Sequence, residues 1–199
     1  MKTATSNKPT RNLPCLLKWH GSKNAFQGKL ARWIIGLMPP HLHYVEAFAG
    51  GLAVLLAKNP DGVSEVVNDL DGNLLNFWRV MADETAFAKF HRRVQAVPFS
   101  EAHWHDAQET EDHVGPVDRA VAFFVQCRQS LAGRMDSFAA ITRNRTRRGM
   151  NEQASAWLTA MEGLPAVHER LKRVVIFGPK DAKEVIQQQD GFIYSKQTR

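Results

Sequence analysis

Cysteine is nearly absent from this sequence: Cys15 and Cys127 are the only two among 199 residues. They lie far apart, without a CxxC motif or a clustered histidine, which argues against a disulfide framework and against a structural zinc site. Runs of about 18 apolar residues are also missing, and the first dozen residues are polar. We therefore expect a soluble, intracellular protein in a reducing compartment.

The composition is that of a folded chain with an excess of basic residues. Hydrophobic residues make up 44% and charged residues 23%, which fits one compact domain, or one domain with a small insertion. Lys and Arg number 26 against 20 Asp and Glu, which gives a formal net charge of +6. This excess is weak evidence for a polyanionic partner such as a nucleic acid.

Apolar spacing predicts alternating helices and strands in residues 1–82. Their order is helix 25–37, strand 44–48, helix 52–57, strand 63–67 and helix 73–81. Two successive strand–helix units within about 40 residues indicate a parallel sheet covered by helices. The predicted fold class is therefore α/β.

The pattern changes over residues 83–164, which are rich in His, Arg and Gln and have helical spacing without a convincing strand. We interpret this segment as an inserted helical subdomain. Strand-like composition returns at 174–177 and 192–194, with a helix predicted over 181–189 between them. The predicted division is therefore 1–82 and 165–199 for the two parts of the core and 83–164 for the insertion.

A glycine turn follows the first predicted strand, where Glu46 to Gly51 reads Glu-Ala-Phe-Ala-Gly-Gly. Small residues let a ligand approach the backbone, and the amides at the start of the next helix, with a nearby carboxylate, can hold the polar parts of a nucleoside cofactor. An ordinary tight turn is the alternative, because glycine is common where helices pack closely on sheets.

An acidic segment ends the second predicted strand. Asp69 lies 18 residues beyond Gly51, close to the spacing at which a nucleoside-binding α/β unit places the carboxylate that accepts hydrogen bonds from ribose. Asp71 stands just where the next helix should begin, so we interpret it as a helix N-cap.

Three segments together resemble the α-class, D12-type DNA adenine N6-methyltransferases. They are Lys-Trp-His-Gly-Ser-Lys at 18–23, Val-Glu-Ala-Phe-Ala-Gly-Gly at 45–51 and Asn-Asp-Leu-Asp-Gly-Asn-Leu-Leu-Asn at 68–76. The resemblance implies a Rossmann-like core that binds S-adenosylmethionine, releases S-adenosylhomocysteine and uses no metal. It also implies that the helical insertion recognises the DNA target.

The resemblance also implies roles for particular residues. The opening motif supplies an aromatic ring and a lysine around a glycine turn, the cofactor loop follows the first strand, and an aspartate holds ribose. The implied cofactor residues are Trp19, Gly21, Lys23, Glu46, Phe48, Gly50, Gly51 and Asp69. Ala47 stands where the family usually has proline, which removes rigidity but no polar contact.

The catalytic tetrapeptide of that family, Asp-Pro-Pro-Tyr, does not occur in the 199 residues. The strand at 192–194 resembles the one that presents it, but Ser195-Lys196-Gln197-Thr198-Arg199 follows instead. In the family the tetrapeptide accepts hydrogen bonds from the adenine amine and stacks on the flipped base. We therefore expect no catalytic residue in this sequence and an inactive copy, truncated before the tetrapeptide or deleted at it.

Arginines cluster in the insertion at Arg143, Arg145, Arg147 and Arg148. Guanidinium groups suit bidentate contacts to phosphate or guanine, and by resemblance this segment belongs to the target-recognition insertion. We predict that the four arginines bind DNA. A solvated basic loop is the alternative.

The predicted function is site-specific methylation of adenine N6 in double-stranded DNA with S-adenosylmethionine, in a bacterial or phage-encoded cytoplasmic protein, such as a partner in restriction-modification. Two alternatives stay open: a non-catalytic remnant that binds DNA or cofactor, and a methyltransferase that acts on RNA or a small molecule. The absent tetrapeptide favours the first, and the arginine cluster does not distinguish DNA from RNA.

Overall fold

The computed structural model describes residues 13–24, 28–110, 114–139, 144–189 and 192–194. Within these ranges the helices are α1 (Lys29–Leu37), α2 (Ala53–Ala57), α3 (Gly72–Ala82), α4 (Glu84–Gln95), α5 (Glu101–Gln108), α6 (Pro116–Gln129), α7 (Glu152–Leu171) and α8 (Ala182–Gln188). The strands are β1 (His43–Glu46), β2 (Ser64–Val67), β3 (Thr146–Arg147), β4 (Met150–Asn151), β5 (Val174–Ile176) and β6 (Phe192–Tyr194).

Four strands form a parallel sheet in the order β5-β2-β1-β6. The chain runs outward from β1 through β2 to β5 and then returns to the other side of β1 as β6. In open α/β sheets, ligands bind beyond the carboxyl ends of the strands at such a reversal of direction. The predicted parallel sheet is confirmed, and its reversal point lies between β1 and β6.

Successive residues of the central strands β1 and β2 face opposite sides of the sheet, as the two-residue period of a strand requires. Val45 and Val66 lie opposite each other and pack with Val185 of α8 on one face of the sheet. Tyr44 and Val67 belong to the larger hydrophobic cluster formed with the remaining helices. The sheet is therefore buried on both faces, which explains the nearly continuous apolar runs of β1 and β2.

The segment 83–164 packs against α3 rather than forming a separate core. Phe77 of α3 lies in ring contact with Phe90 of α4 and Phe124 of α6, and all three belong to the larger cluster. Helix α7 is continuous through Pro165, so the predicted boundary between residues 164 and 165 falls inside a helix.

The expectation that this segment has no strand was wrong. Strands β3 and β4 form an antiparallel hairpin immediately before α7. Each strand has only two residues, which is too short to produce a recognisable alternation in the sequence.

Candidate functional site

The loop after β1 is fixed by hydrogen bonds from the backbone N–H and to the backbone carbonyl of one residue, Gly50. The N–H of Gly50 donates to Oδ2 of Asp69 at 2.8 Å, and its carbonyl accepts from the indole of Trp78 at 3.0 Å. Gly50 has φ +49°, and a Cβ atom at this position would lie 3.0 Å from Cδ1 of Trp19. The second glycine of the turn, Gly51, is similarly close to Trp19. The turn therefore requires glycine.

Glu46, the last residue of β1, is a buried carboxylate at the base of this loop. It is 2% exposed, and its Oε1 accepts from the hydroxyl of Tyr44 at 2.7 Å and from the amide of Leu55 at 2.8 Å. Burial raises the pKa of Glu46 to about 7, with an added contribution from Glu65, while these two hydrogen bonds and the charge of Arg170 oppose the rise. A cationic ligand group beside Glu46 would favour its ionised form.

A small cavity of about 30 Å³ lies against the loop. Seven of the eight predicted cofactor residues line it: Trp19, Gly21, Lys23, Glu46, Phe48, Gly50 and Gly51. The structure thus brings the opening motif and the cofactor loop together, although some 25 residues separate them in the sequence. Ser22 also lines the cavity and was not predicted, since a serine in a turn carries no distinctive signal.

Asp69 is the predicted residue that does not line this cavity. Its Oδ2 accepts from Gly50, and its Oδ1 accepts from the amide of Asp71 at 3.2 Å. It is half-buried, at the carboxyl end of β2. Asp71 caps α3, since its side chain accepts from the amides of Asn73 and Leu74, which confirms the prediction of an N-cap.

A second, larger cleft of about 250 Å³ opens beside the loop. Phe48 lines both this cleft and the small cavity. Leu70 and Ile186 add apolar surface, and Leu70 is 71% exposed. The remaining wall comes from residues 180–183 after β5. This wall was not predicted from the sequence, although its position after the carboxyl end of a parallel strand is a usable signal.

Asn68 was also missed, and it connects the walls of the cleft. The side chain is 1% exposed, and its Nδ2 donates to the carbonyls of Ala47 at 3.2 Å and Lys180 at 3.0 Å. This one amide therefore joins the loops that follow β1 and β5. Only its neighbour Asp69 was predicted, because its carboxylate and its spacing from the glycine turn are typical of a ribose contact.

Buried charges lie on the face of the sheet below the cavity. The guanidinium of Arg170 donates to Glu65 at 2.8 Å and to the carbonyl of Leu55 at 3.1 Å. Lys58 approaches the same carboxylate at 3.4 Å. Leu55 donates its own amide to Glu46, so α7, α2 and β1 meet in one polar network beneath the loop.

Three of the four predicted DNA-binding arginines are in or beside the hairpin β3–β4. Arg143 lies outside the described residues. Arg145 and Arg147 are exposed, whereas Arg148 is exposed but paired with Glu162 of α7 at 2.9 Å. The structure thus brings Arg145, Arg147 and Arg148 together on one short ribbon, and of these three only Arg148 pairs with a carboxylate among the residues that the structure describes.

Two further features of the described ranges concern metal binding and the membrane. No group of three or more His, Cys, Asp or Glu side chains is arranged there to hold a metal ion. Among the described helices, none combines the length and apolar character needed to cross a membrane.

The chain matches the model of a known protein family. The family model described as D12 class N6 adenine-specific DNA methyltransferase matches residues 19–194. The matched range contains the loop, both cavities and the hairpin. No curated protein matches the chain.

Proposed function

The chain belongs to the D12 class N6 adenine-specific DNA methyltransferase family, and from that premise we propose that it binds S-adenosylmethionine at the carboxyl edge of its sheet and double-stranded DNA through its hairpin. In this proposal residues 1–82 and 165–199 form a Rossmann-like core, and residues 83–164 form the target-recognition insertion. The cofactor would supply an electrophilic methyl group on a sulfonium.

The observation that carries the proposal is a pair of cavities that share Phe48, with Asp69 bonded to Gly50 of the small cavity and adjacent in sequence to Leu70 of the cleft. The small cavity, at about 30 Å³, is large enough only for a short polar group. The apolar cleft, at about 250 Å³, approaches the roughly 300 Å³ at which small-molecule sites begin. A ligand with a zwitterionic end and a nucleoside end matches this combination of a small polar cavity and a larger apolar cleft.

The residues of the small cavity suit the amino-acid end of the cofactor. Glu46 offers a carboxylate fixed by Tyr44 and Leu55, and Lys23 offers a positive charge. Opposite charges stabilise each other more strongly where water is scarce. Trp19 packs on the glycines and limits the space above them.

The residues around the cleft suit the nucleoside end. Asp69 has carboxylate lone pairs beyond those that accept from Gly50 and Asp71, because a carboxylate offers about four acceptor positions. Ribose hydroxyls are donors of the kind it would bind. Phe48, Leu70 and Ile186 offer the apolar surface that an adenine ring requires.

Methyl transfer to adenine N6 also needs acceptors beside the amine, because the lone pair of the amine is delocalised into the ring. Strand β6 pairs with β1 in a register that sets Tyr194 opposite Glu46. Strand β6 therefore ends, at Tyr194, at the edge of the sheet that carries the glycine loop. The sequence there reads Ser195-Lys196 instead of Asp-Pro, which favours a second candidate function, binding of cofactor and DNA without transfer.

Calorimetric titration with S-adenosylhomocysteine, which has both the amino-acid and the nucleoside end, tests the cofactor proposal. Adenosine and methionine, added separately, are the controls. We expect S-adenosylhomocysteine to bind more tightly than either fragment, because linking two ends that bind adjacent sites reduces the cost of association. Equal affinity for adenosine and S-adenosylhomocysteine would remove the small cavity from the site.

A further inference from the structure

The hairpin β3–β4 has a turn that its own sequence disfavours. Arg148 and Gly149 form the two-residue turn between Arg147 and Met150, with φ values of +57° and +74°. Turns with two positive φ values favour Asn-Gly, because a long side chain is strained in the left-handed region. Two-residue strands also give little stability of their own. Interactions outside the hairpin must therefore hold it.

Helix α7 provides those interactions at both ends of the hairpin. At the base, the amide of Glu152 donates to the carbonyl of Arg145 at 3.1 Å, and Asn151 caps the helix by accepting from Gln153 at 2.9 Å. At the tip, Arg148 reaches Glu162, which lies ten residues beyond Glu152 and so about 15 Å along the helix. The ribbon thus lies beside α7.

The contact at the tip is bidentate. Nη1 and Nη2 of Arg148 donate to the two carboxylate oxygens of Glu162 at 3.2 and 2.9 Å, and Nη1 also approaches Thr159 Oγ1 at 3.4 Å. The hydrogen bonds to Glu162 raise the pKa of Arg148 above its usual value. Both terminal nitrogens are therefore engaged with α7.

We propose that Arg148 is a positioning residue that fastens the hairpin to α7 through Glu162, so that Arg145 and Arg147, and not Arg148, contact DNA phosphate. This inference rests on the proposed binding of DNA. A phosphate beside Arg148 would compete with a carboxylate that already occupies the guanidinium and would be repelled by its charge. Arg145 and Arg147 are exposed, and no carboxylate in the described part of the chain pairs with either of them.

The first experiment measures the hairpin without DNA, by hydrogen exchange of peptides that cover β3 and β4. Arg148→Asn removes the pair but supplies a residue that this turn prefers, so any loss of protection comes from the missing contact. We expect faster exchange in Arg148→Asn and in Glu162→Gln, and wild-type exchange in the double variant Arg148→Glu with Glu162→Arg. Glu109→Gln, which removes an exposed carboxylate elsewhere, should match the wild type.

The second experiment measures the affinity for duplex DNA over a range of salt concentrations. Each phosphate contact contributes close to one unit of slope in a plot of log affinity against log salt. We expect Arg145→Gln and Arg147→Gln each to reduce the slope by about one unit. Arg148→Asn should weaken binding about two- to fivefold with the slope unchanged, as expected for the loss of an exposed ion pair. The charge-swapped double variant should bind as the wild type does.

The outcomes separate the inference from the proposed function. A wild-type chain with no salt-dependent DNA binding contradicts the proposed function, while the exchange experiment still tests the role of Arg148. A wild-type chain that binds, with a slope that falls in Arg148→Asn and a charge-swapped variant that stays weak, would show that Arg148 contacts phosphate. Unchanged hydrogen exchange in Arg148→Asn would equally overturn the inference.

Discussion

The backbone N–H of Gly50 donates to the carboxylate of Asp69 at 2.8 Å, across 19 residues of sequence. This bond joins the loop after β1 to the end of β2, the two elements that the proposed cofactor site needs. Asp69 thus has two roles in the proposal: it shapes the glycine loop, and it offers its remaining lone pairs to ribose.

Substitution of Asp69 separates these roles. Asp69→Ala should weaken binding of S-adenosylhomocysteine about 10- to 100-fold, because charge-assisted hydrogen bonds are lost. Asp69→Asn should fall between this variant and the wild type, since its amide oxygen still accepts from Gly50 but carries no charge. Asp71→Asn is the control, because asparagine also caps a helix. Calorimetry that finds unchanged affinity in Asp69→Ala would remove Asp69 from the site.

The glycine turn gives a second prediction. Gly50→Ala should lower the free energy of unfolding by about 1 kcal/mol or more, because alanine is strained at positive φ and its Cβ would press on Trp19. It should also weaken cofactor binding. Gly36→Ala in α1 is the matched control: apart from its chain neighbours and the backbone of its own helix, no described atom lies within 4 Å of the new Cβ, so its stability should stay the same or rise by up to about 1 kcal/mol. Urea unfolding measures both variants, and equal stability of Gly50→Ala and the wild type would contradict the argument.

Much of the core was predictable from the sequence, for a physical reason. Strands buried on both faces need long apolar runs, so Tyr44, Val45, Val66 and Val67 identify β1 and β2 without knowledge of tertiary contacts. The cap at Asp71 was predictable because capping is local. The hydrogen bond between Gly50 and Asp69 could not be predicted. The spacing in the sequence suggests that the two loops lie close together, but it does not identify the donor and the acceptor that pair.

The features that could not be predicted from the sequence depend on tertiary packing. The hairpin β3–β4 contacts Glu162 on a helix that follows it, and neither its two-residue strands nor its turn residue Arg148 shows the local preference that a free hairpin needs. Asn68 likewise acts through the carbonyl of Lys180, 112 residues away. That the arginine cluster binds DNA stays a prediction, in which Arg145 and Arg147 contact phosphate and Arg148 positions the hairpin.

The buried carboxyl of Glu46 predicts a particular dependence of stability on pH. Its pKa of about 7 in the folded chain lies above the usual value near 4.5. Because the folded state holds the proton more tightly, the stabilisation is complete below about pH 4.5 and is lost as pH rises through about 7. The loss should be at most about 3 kcal/mol for a shift of this size.

Glu46→Gln tests this dependence, because its amide oxygen can still accept from Tyr44 and Leu55. Urea unfolding of the wild type and the variant between about pH 5 and about pH 8 should give curves that diverge, with the wild type losing stability relative to Glu46→Gln as pH rises. Glu109→Gln, the control, should show the same dependence of stability on pH as the wild type. Parallel curves for wild type and Glu46→Gln would show that Glu46 titrates normally.

The last prediction concerns methyl transfer. We expect the 199-residue chain to bind cofactor but to transfer no methyl group to adenine, because only interactions stronger in the transition state than in the ground state accelerate a reaction, and donor binding alone is not such an interaction. Tyr194 lies opposite Glu46 in the sheet, so acceptors placed directly after it would emerge beside the proposed cofactor site. A chain in which Asp-Pro-Pro-Tyr and the remaining strands of a family member follow Tyr194 should therefore methylate unmethylated duplex DNA.

Incubation with tritiated S-adenosylmethionine measures methyl transfer by both chains against heat-killed controls. Label in adenine with the 199-residue chain would refute the expected inactivity, whereas absence of label with both chains, when both bind S-adenosylhomocysteine, would count against adenine as the substrate.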